Sequence, residues 1–355
     1  MNSQHANRRH FLLSASALTL SSVFPRTLFA HKDAADIPIV DVSFADIPRS
    51  DYDFATTCDE VAAGYDLAGK TVLITGCNSG LGYASLRTLA ASGAHVIGTA
   101  RTEEKAQTAC ASVEGKTTPL VCELTDMDSI VACADAVQAL SAPIDILICN
   151  AGIMALPKLE QVDIGGVMLE KQFVVNHLGH YLLTRLLLPQ VQAAHAGRVV
   201  MVSSVGYTLA PEGGIQFGNL SGEEGYKPFK AYGQTKLANV LFSNELSRRN
   251  TEQPLTANAI HPGLVGTNLG RYMTGKMRDP DEPLRGGMKT PEQGAATQVY
   301  VAIDKRLEGV SGYYFEDCNP VELQGPYATD AILAGKLWDV SEELVKPWLP
   351  PVVDA

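Results

Sequence analysis

Positive charge is in short supply in this 355-residue chain, where 28 Lys and Arg stand against 39 Asp and Glu for a net charge of -11. Such a surface repels a nucleic-acid phosphate backbone and an anionic membrane, so neither is expected as the main partner. A small ligand fits better. The seven cysteines, Cys58, Cys77, Cys110, Cys122, Cys133, Cys149 and Cys318, include no C-x-x-C pair and no Cys/His zinc spacing. No metal site is therefore expected. Their odd number and apolar settings read as buried thiols rather than a disulfide framework. No internal repeat is present, and no low-complexity tract lies outside the first 30 residues.

What is there suits one folded α/β domain: 46% hydrophobic residues, 31 glycines and charges of both signs mixed along the chain. The N-terminus, Asn7-Arg8-Arg9-His10-Phe11-Leu12-Leu13 followed by a Ser-, Ala- and Leu-rich stretch to Val23, resembles a twin-arginine export signal. Its apolar run falls short of the about 20 residues of a spanning helix. Residues 1–30 are therefore set aside as a leader, with an uncleaved anchor or a disordered segment as alternatives. This implies a periplasmic or exported protein in a bacterium, or a cytoplasmic one if the leader is not functional. An exported enzyme of this kind carries its cofactor out already bound.

From Thr71 onward, apolar runs of strand length alternate with helical stretches, which predicts a parallel sheet covered on both faces. Seven strands are expected, at 71–75, 95–99, 119–124, 144–149, 198–203, 256–260 and 312–315. Helices are expected at 82–92, 103–113, 126–140, 172–193, 231–249, 291–303 and 329–344. Residues 31–66 read as an N-terminal arm extended on the surface, or as a linker, ahead of a domain at 67–348. Residues 267–290, with Thr267, Met273, Met277, Pro280, Pro283, Met288 and several glycines, read as a substrate lid.

Thr75-Gly76-Cys77-Asn78-Ser79-Gly80-Leu81-Gly82 follows the first strand directly and opens the first helix. Glycines there permit a tight turn, let the backbone approach a pyrophosphate and leave that anion at the positive end of a helix. Further on, Tyr232 and Lys236 stand one helical turn apart on one face. Hydride transfer to a carbonyl leaves an alkoxide that needs a proton. A tyrosine supplies it if its high intrinsic pKa is lowered, and a nearby ammonium favours the phenolate. His177 and His180, three apart without further ligands, read as packing residues.

Taken in order, T-G-x-x-x-G-x-G at 75–82, Asn150-Ala151-Gly152, Y-x-x-x-K at 232–236 and Pro262-Gly263 resemble the short-chain dehydrogenase/reductase family, from about residue 60 to 345. Phe173–His180, Ala231–Asn239 and His261-Pro262-Gly263 resemble its retinol-dehydrogenase and protochlorophyllide-reductase-like branch. The resemblance implies a single-domain Rossmann-type doubly wound parallel sheet and a nicotinamide cofactor. Tyr232 and Lys236 become the acid–base pair and cofactor contacts. Ser204 would bond the substrate oxygen, with Ser203 the alternative if the register is one off. Asn176 would hold a water linking the lysine to solvent, or else only satisfy backbone groups.

The same resemblance assigns Gly76, Asn78, Ser79, Gly80, Leu81, Gly82, Asn150, Ala151 and Gly152 to the cofactor. Pro262, Gly263, Val265 and Thr267 would hold the nicotinamide carboxamide. Glu123-Leu124 stands where the family has Asp-Leu against adenine, and Gly213–Gly225 looks like an insertion of the branch. At the end of the second strand Ala100-Arg101 replaces the acidic residue of NAD users, and an arginine fork matches a 2′-phosphate. NADP is favoured, with NAD the alternative. The expected reaction interconverts a carbonyl and an alcohol on a lipophilic small molecule. A non-catalytic NADP-binding or sensing protein and a sugar-nucleotide epimerase or dehydratase are the competing readings. The helices at 172–193 and 231–249 are candidate faces for a homo-oligomer.

Overall fold

The computed structural model describes residues 43–252, 255–274 and 286–351. The leader, residues 31–42 of the arm, and Met277, Pro280 and Pro283 of the lid segment lie outside the described residues.

Ten strands follow in chain order: β1 Thr71–Thr75, β2 His95–Ala100, β3 Lys116–Val121, β4 Ile146–Cys149, β5 Gln161–Ile164, β6 Val167–Glu170, β7 Gly197–Val202, β8 Leu255–His261, β9 Tyr314–Glu316 and β10 Asn319–Pro320. The helices are α1 Cys58–Ala62, α2 Gly80–Ala91, α3 Glu103–Ala111, α4 Met127–Gln138, α5 Lys171–Phe173, α6 Gly179–Gln192, α7 Pro228–Arg249, α8 Arg271–Thr274, α9 Pro291–Ile303 and α10 Ala331–Val345. One eight-stranded sheet has the order β10-β9-β8-β7-β4-β1-β2-β3, and β5 and β6 form a separate hairpin.

Seven strands of the main sheet are parallel, in the places where apolar runs predict them, and β10 adds a short antiparallel edge. The count is therefore eight rather than seven. Strand β3 begins three residues before the predicted start: on the sheet edge it is half-buried and opens with Lys116-Thr117-Thr118, so hydrophobicity does not mark it, and Cys122 and Leu124 instead turn into the core. Alternate residues of each strand feed two cores. Leu73, Leu147, Val199 and Ala257 pack with α4, α6, α7 and α10, whereas Val72, Ile148, Val200 and Ile260 pack with α1, α2 and α9. A sheet buried on both faces accounts for strands that read as nearly continuous apolar runs.

Chain direction matters for the site. After β3 the chain returns to the other side of β1 to form β4, so the strand order reverses between β1 and β4. Ligands of open α/β sheets bind beyond the carboxyl ends of strands at such a point.

Two expectations need correction. The arm is not a linker, nor extended throughout: residues 43–57 lie along the surface, and from Cys58 it forms α1. Thr57 and Glu60 form a capping box on α1, Cys58 is buried, Asp59 pairs with Arg87 at 2.7 Å, and Tyr52 meets Tyr300 edge to face at 6.0 Å. Nor do α6 and α7 offer broad outer faces to a second subunit. Nearly every residue of α7 from Tyr232 to Ser247 is buried, and α10 crosses both helices, with Arg185 bonded to Glu342 and Arg249 stacked on Trp338. All seven cysteines are buried free thiols.

Because the capping box closes the first turn of α1, Thr57→Ala is expected to lower stability by about 1 kcal/mol in chemical denaturation, and Thr57→Ser by a few tenths at most. An unchanged midpoint for Thr57→Ala contradicts a capped α1.

Candidate active site

The glycine turn after β1 owes its shape to close approaches. A Cβ on Gly82 would fall 2.3 Å from the carbonyl oxygen of Gly76, and a Cβ on Gly76 would fall 2.9 Å from the Cβ of Ala151. Gly80 has φ +57 and packs under the methyl of Thr267, which a Cβ would meet at 3.1 Å. Helices α1, α3, α4, α9 and α10 each begin with a Thr or Asp side chain bonded to a first-turn N–H, but Ser79 makes no such bond on α2. The first-turn N–H groups of α2 therefore face the turn without a side-chain acceptor, which suits a phosphate. Asn78 and Ser79 are exposed there, and Leu81 is half-buried. Asn150 ties the end of β4 to the end of β1, donating from Nδ2 to Thr75 O at 2.8 Å, and Ala151 and Gly152 follow it beside Gly76 and Asn176. These residues fit a dinucleotide.

Helix α7 starts on Pro228, which suits a first-turn position, and ends on Arg248 and Arg249, both paired with the buried Glu245. It presents Tyr232 and Lys236 to the end of β7. Lys236 is buried; its Nζ donates to Val202 O at 2.9 Å and lies 5.6 Å from the centre of the Tyr232 ring. Ser203 and Ser204 separate in role here. The hydroxyl of Ser203 is buried and donates to Lys236 O at 2.7 Å, fixing helix to strand. Ser204 instead accepts from Gly206 N at 3.0 Å, and Gly206 packs against both the Ser204 hydroxyl and the Tyr232 ring.

Burial pushes the phenol of Tyr232 up to about 12, against a hydrogen bond with Ser204 that lowers it. Burial likewise lowers Lys236 to about 8. The expectation that the lysine brings the tyrosine down is not met in the protein alone: burial raises the phenol, and what lowers it is the bond with Ser204.

Asn176 lies in a π-helical turn, Val174–Leu178, between α5 and α6. Such turns insert a residue into the helix and often mark functional positions. Its side chain accepts from Ile153 N at 2.9 Å and donates to Thr235 Oγ1 at 2.9 Å, while Thr235 donates to Tyr232 O. Asn176 thus joins the segment that follows Asn150–Gly152 to α7.

His180 is the residue that sequence reasoning missed. Its Nδ1 faces Asn176 O at 3.1 Å, so Nδ1 carries the hydrogen and Nε2 accepts from Thr75 Oγ1 at 2.8 Å. Thr75 Oγ1 in turn accepts from Asn150 N at 2.9 Å and Ala151 N at 3.0 Å. One neutral imidazole thus links Thr75, which opens the glycine turn, to the asparagine. Its place one turn after Asn176 was the available signal. His177 turns elsewhere, to Ser341 at 2.9 Å.

The remaining sites lie around the same edge. Arg101 is exposed just past β2. Glu123 is half-buried and accepts from Thr125 N and Oγ1 at 3.1 and 2.9 Å, and Leu124 is a core residue. Pro262, Gly263, Val265 and Thr267 form the loop beyond β8, with Val265 against Gly294 and Thr267 above Gly80.

Two expectations follow. Gly82→Ala should leave the sheet folded but raise the Kd for a nicotinamide dinucleotide by about tenfold or more, in line with the ~1–3 kcal/mol of overpacking. An unchanged Kd by titration contradicts the close packing of the turn. Burial depresses His180 to about 4 and His177 to about 3. The unfolded chain takes up these protons near pH 6.5 and the folded chain does not, so stability should fall as pH drops from about 6.5 towards 4. Denaturation midpoints that stay flat over that window contradict neutral, buried imidazoles.

The family model described as short chain dehydrogenase matches residues 70–277. The chain is 38% identical over 309 residues to short-chain dehydrogenase TIC 32 B, chloroplastic, of Brassica napus, covering 84% of this chain and 95% of that one. It is 41% identical over 298 residues to retinol dehydrogenase 14 of Mus musculus, covering 78% and 86%. A crystal structure of an uncharacterized protein from Mycobacterium paratuberculosis superposes with TM-score 0.65 at 34% identity, covering 81% of this chain and 97% of the other. With its glycine turn at the switch point and Tyr232, Lys236, Ser204 and Asn176 gathered beyond β7, the chain belongs to the short-chain dehydrogenase/reductase family and is a nicotinamide-dependent oxidoreductase.

Proposed function

We propose that the protein interconverts a carbonyl and an alcohol on a lipophilic small molecule, using NADP(H). The observation that carries this reading is the meeting of the Tyr232 phenol with Ser204 on one side and the buried Lys236 ammonium on the other. In reduction, a phenol near 12 keeps its proton at neutral pH and has it ready for an alkoxide. Ser204 orients the oxygen being reduced. Lys236 holds positive charge beside the ring, and the Asn176–Thr235 bonds fix the backbone from which both side chains project. When bound, the nicotinamide supplies or accepts the hydride.

Cofactor and substrate class rest on two further observations. Arg101 extends into solvent where the ribose edge of a dinucleotide would lie, and its fork of donors suits a 2′-phosphate. Glu103 just beyond it is at the first turn of α3 and accepts from Gln107 at 2.8 Å. For the substrate, Val205 and Leu209 after Ser204, and Leu264 after Gly263, are exposed apolar residues in the segments that flank the site. A relative named retinol dehydrogenase supports the same class.

The test is a carbonyl panel with NADPH, followed by cofactor absorbance. Tyr232→Phe should abolish turnover while binding NADPH as tightly as the natural chain. The ammonium of Lys236 is lost as pH rises through about 8, so reduction should decline above that value. Turnover that survives in Tyr232→Phe contradicts the mechanism, and a preference for NADH contradicts the role of Arg101.

A further inference from the structure

Beyond β8 the chain leaves the sheet through Pro262-Gly263 and passes over the glycine turn to Thr267. One residue far along the sequence, Lys289, touches this loop over most of its length. Its N–H donates to Leu264 O at 2.7 Å and its carbonyl accepts from Gly266 N at 3.0 Å, a parallel bridge between Val265 and Lys289. Its methylenes lie against Gly263, where a Cβ would meet Cδ at 2.9 Å. The side chain is only 1% exposed. At its tip, Nζ donates to Asp317 Oδ1 at 2.5 Å and lies 5.0 Å from the centre of the Phe54 ring.

A buried ammonium is stable only while its counter-charge stays in place. Asp317 lies in the two-residue turn of the β9–β10 hairpin. Asp317 and Cys318, between β9 and β10, both adopt left-handed backbone, with φ 48 and 56. Left-handed backbone at both central positions is the geometry of a two-residue hairpin turn, and Asp tolerates it better than most side chains. The arm braces this turn. Ser50 Oγ donates to Cys318 O at 2.8 Å, Ser50 N donates to Asn319 Oδ1 at 3.0 Å, and Asn319 Nδ2 donates to Tyr52 O at 3.1 Å.

We infer that Lys289 is a positioning residue for the cofactor loop: its ion pair with Asp317, braced by residues 50–54 of the arm, holds residues 263–267 over Gly80. The arm thereby becomes a working part of the site. The consequence for cofactor affinity rests on the dinucleotide reading given above; the fastening of the loop does not.

Hydrogen exchange by mass spectrometry on the full chain separates the two. Peptides covering 262–268 and 286–291 should exchange about tenfold faster in Lys289→Met and Asp317→Asn, with the β-strands unchanged, because breaking a buried pair opens the segment it holds. Lys289→Arg should restore most of the protection. NADPH titration should show weaker binding by a similar factor in the first two variants and near-natural binding in the third. Should Lys289→Met fail to fold, Asp317→Asn, changed at a carboxylate one-third exposed, carries the same test. Unaltered exchange in the loop, or a rise spread evenly through the sheet, overturns the inference. A natural chain that binds neither NADPH nor NADH, while the variants still loosen the loop, overturns the dinucleotide reading and supports the fastening.

Discussion

Taking an ammonium out of water is unfavourable unless oxygen acceptors replace its hydration, and the site is arranged around one such group. Lys236 reaches the last carbonyl of β7, and Ser203 from the next position returns a bond to the lysine's own carbonyl. Strand end and helix are thereby locked in one register. That lock decides where Tyr232 stands, one turn earlier on the same helix, and why Ser204, rather than Ser203, meets it. The charge of the lysine and the proton of the tyrosine are both altered by the same burial, in directions that favour their neutral forms. Lowering the phenol towards neutrality would take the further positive charge that an oxidised nicotinamide would bring.

The parts legible in the sequence were those with a strong local cause. Strands buried on both faces read as continuous apolar runs, so β1, β7 and β8 fell where expected. Helix α9, from Pro291 to Ile303, was marked by a capping threonine and a first-turn proline. The glycine turn and the Tyr232–Lys236 spacing identify themselves because few alternatives satisfy a close backbone approach and a shared helix face together. The edge strand β3 was misplaced because it opens with Lys116-Thr117-Thr118, which carry no apolar signature.

What stayed hidden depends on partners distant in sequence. Nothing near His180 says that Thr75, 105 residues earlier, will accept its company, and nothing near Lys289 announces Asp317. The arm read as an extended surface segment or a linker because its acidic groups and prolines suggest solvent, yet Asp59 finds Arg87 and Ser50 finds the β9–β10 turn. The antiparallel β10, two residues long, has no periodicity to read. The oxygen and nitrogen partners of the site were thus predictable by type, and their connections only from the fold.

The measurement that bears most directly on the electrostatic centre is an ultraviolet titration of phenolate in the intact chain, with and without oxidised NADP, using Tyr232→Phe as the blank. Adding the oxidised dinucleotide should draw one phenol from about 12 well down towards neutrality, and that phenol should be missing from the blank. A titration curve that the dinucleotide leaves unmoved, or a shifted phenol that persists in Tyr232→Phe, would contradict the account.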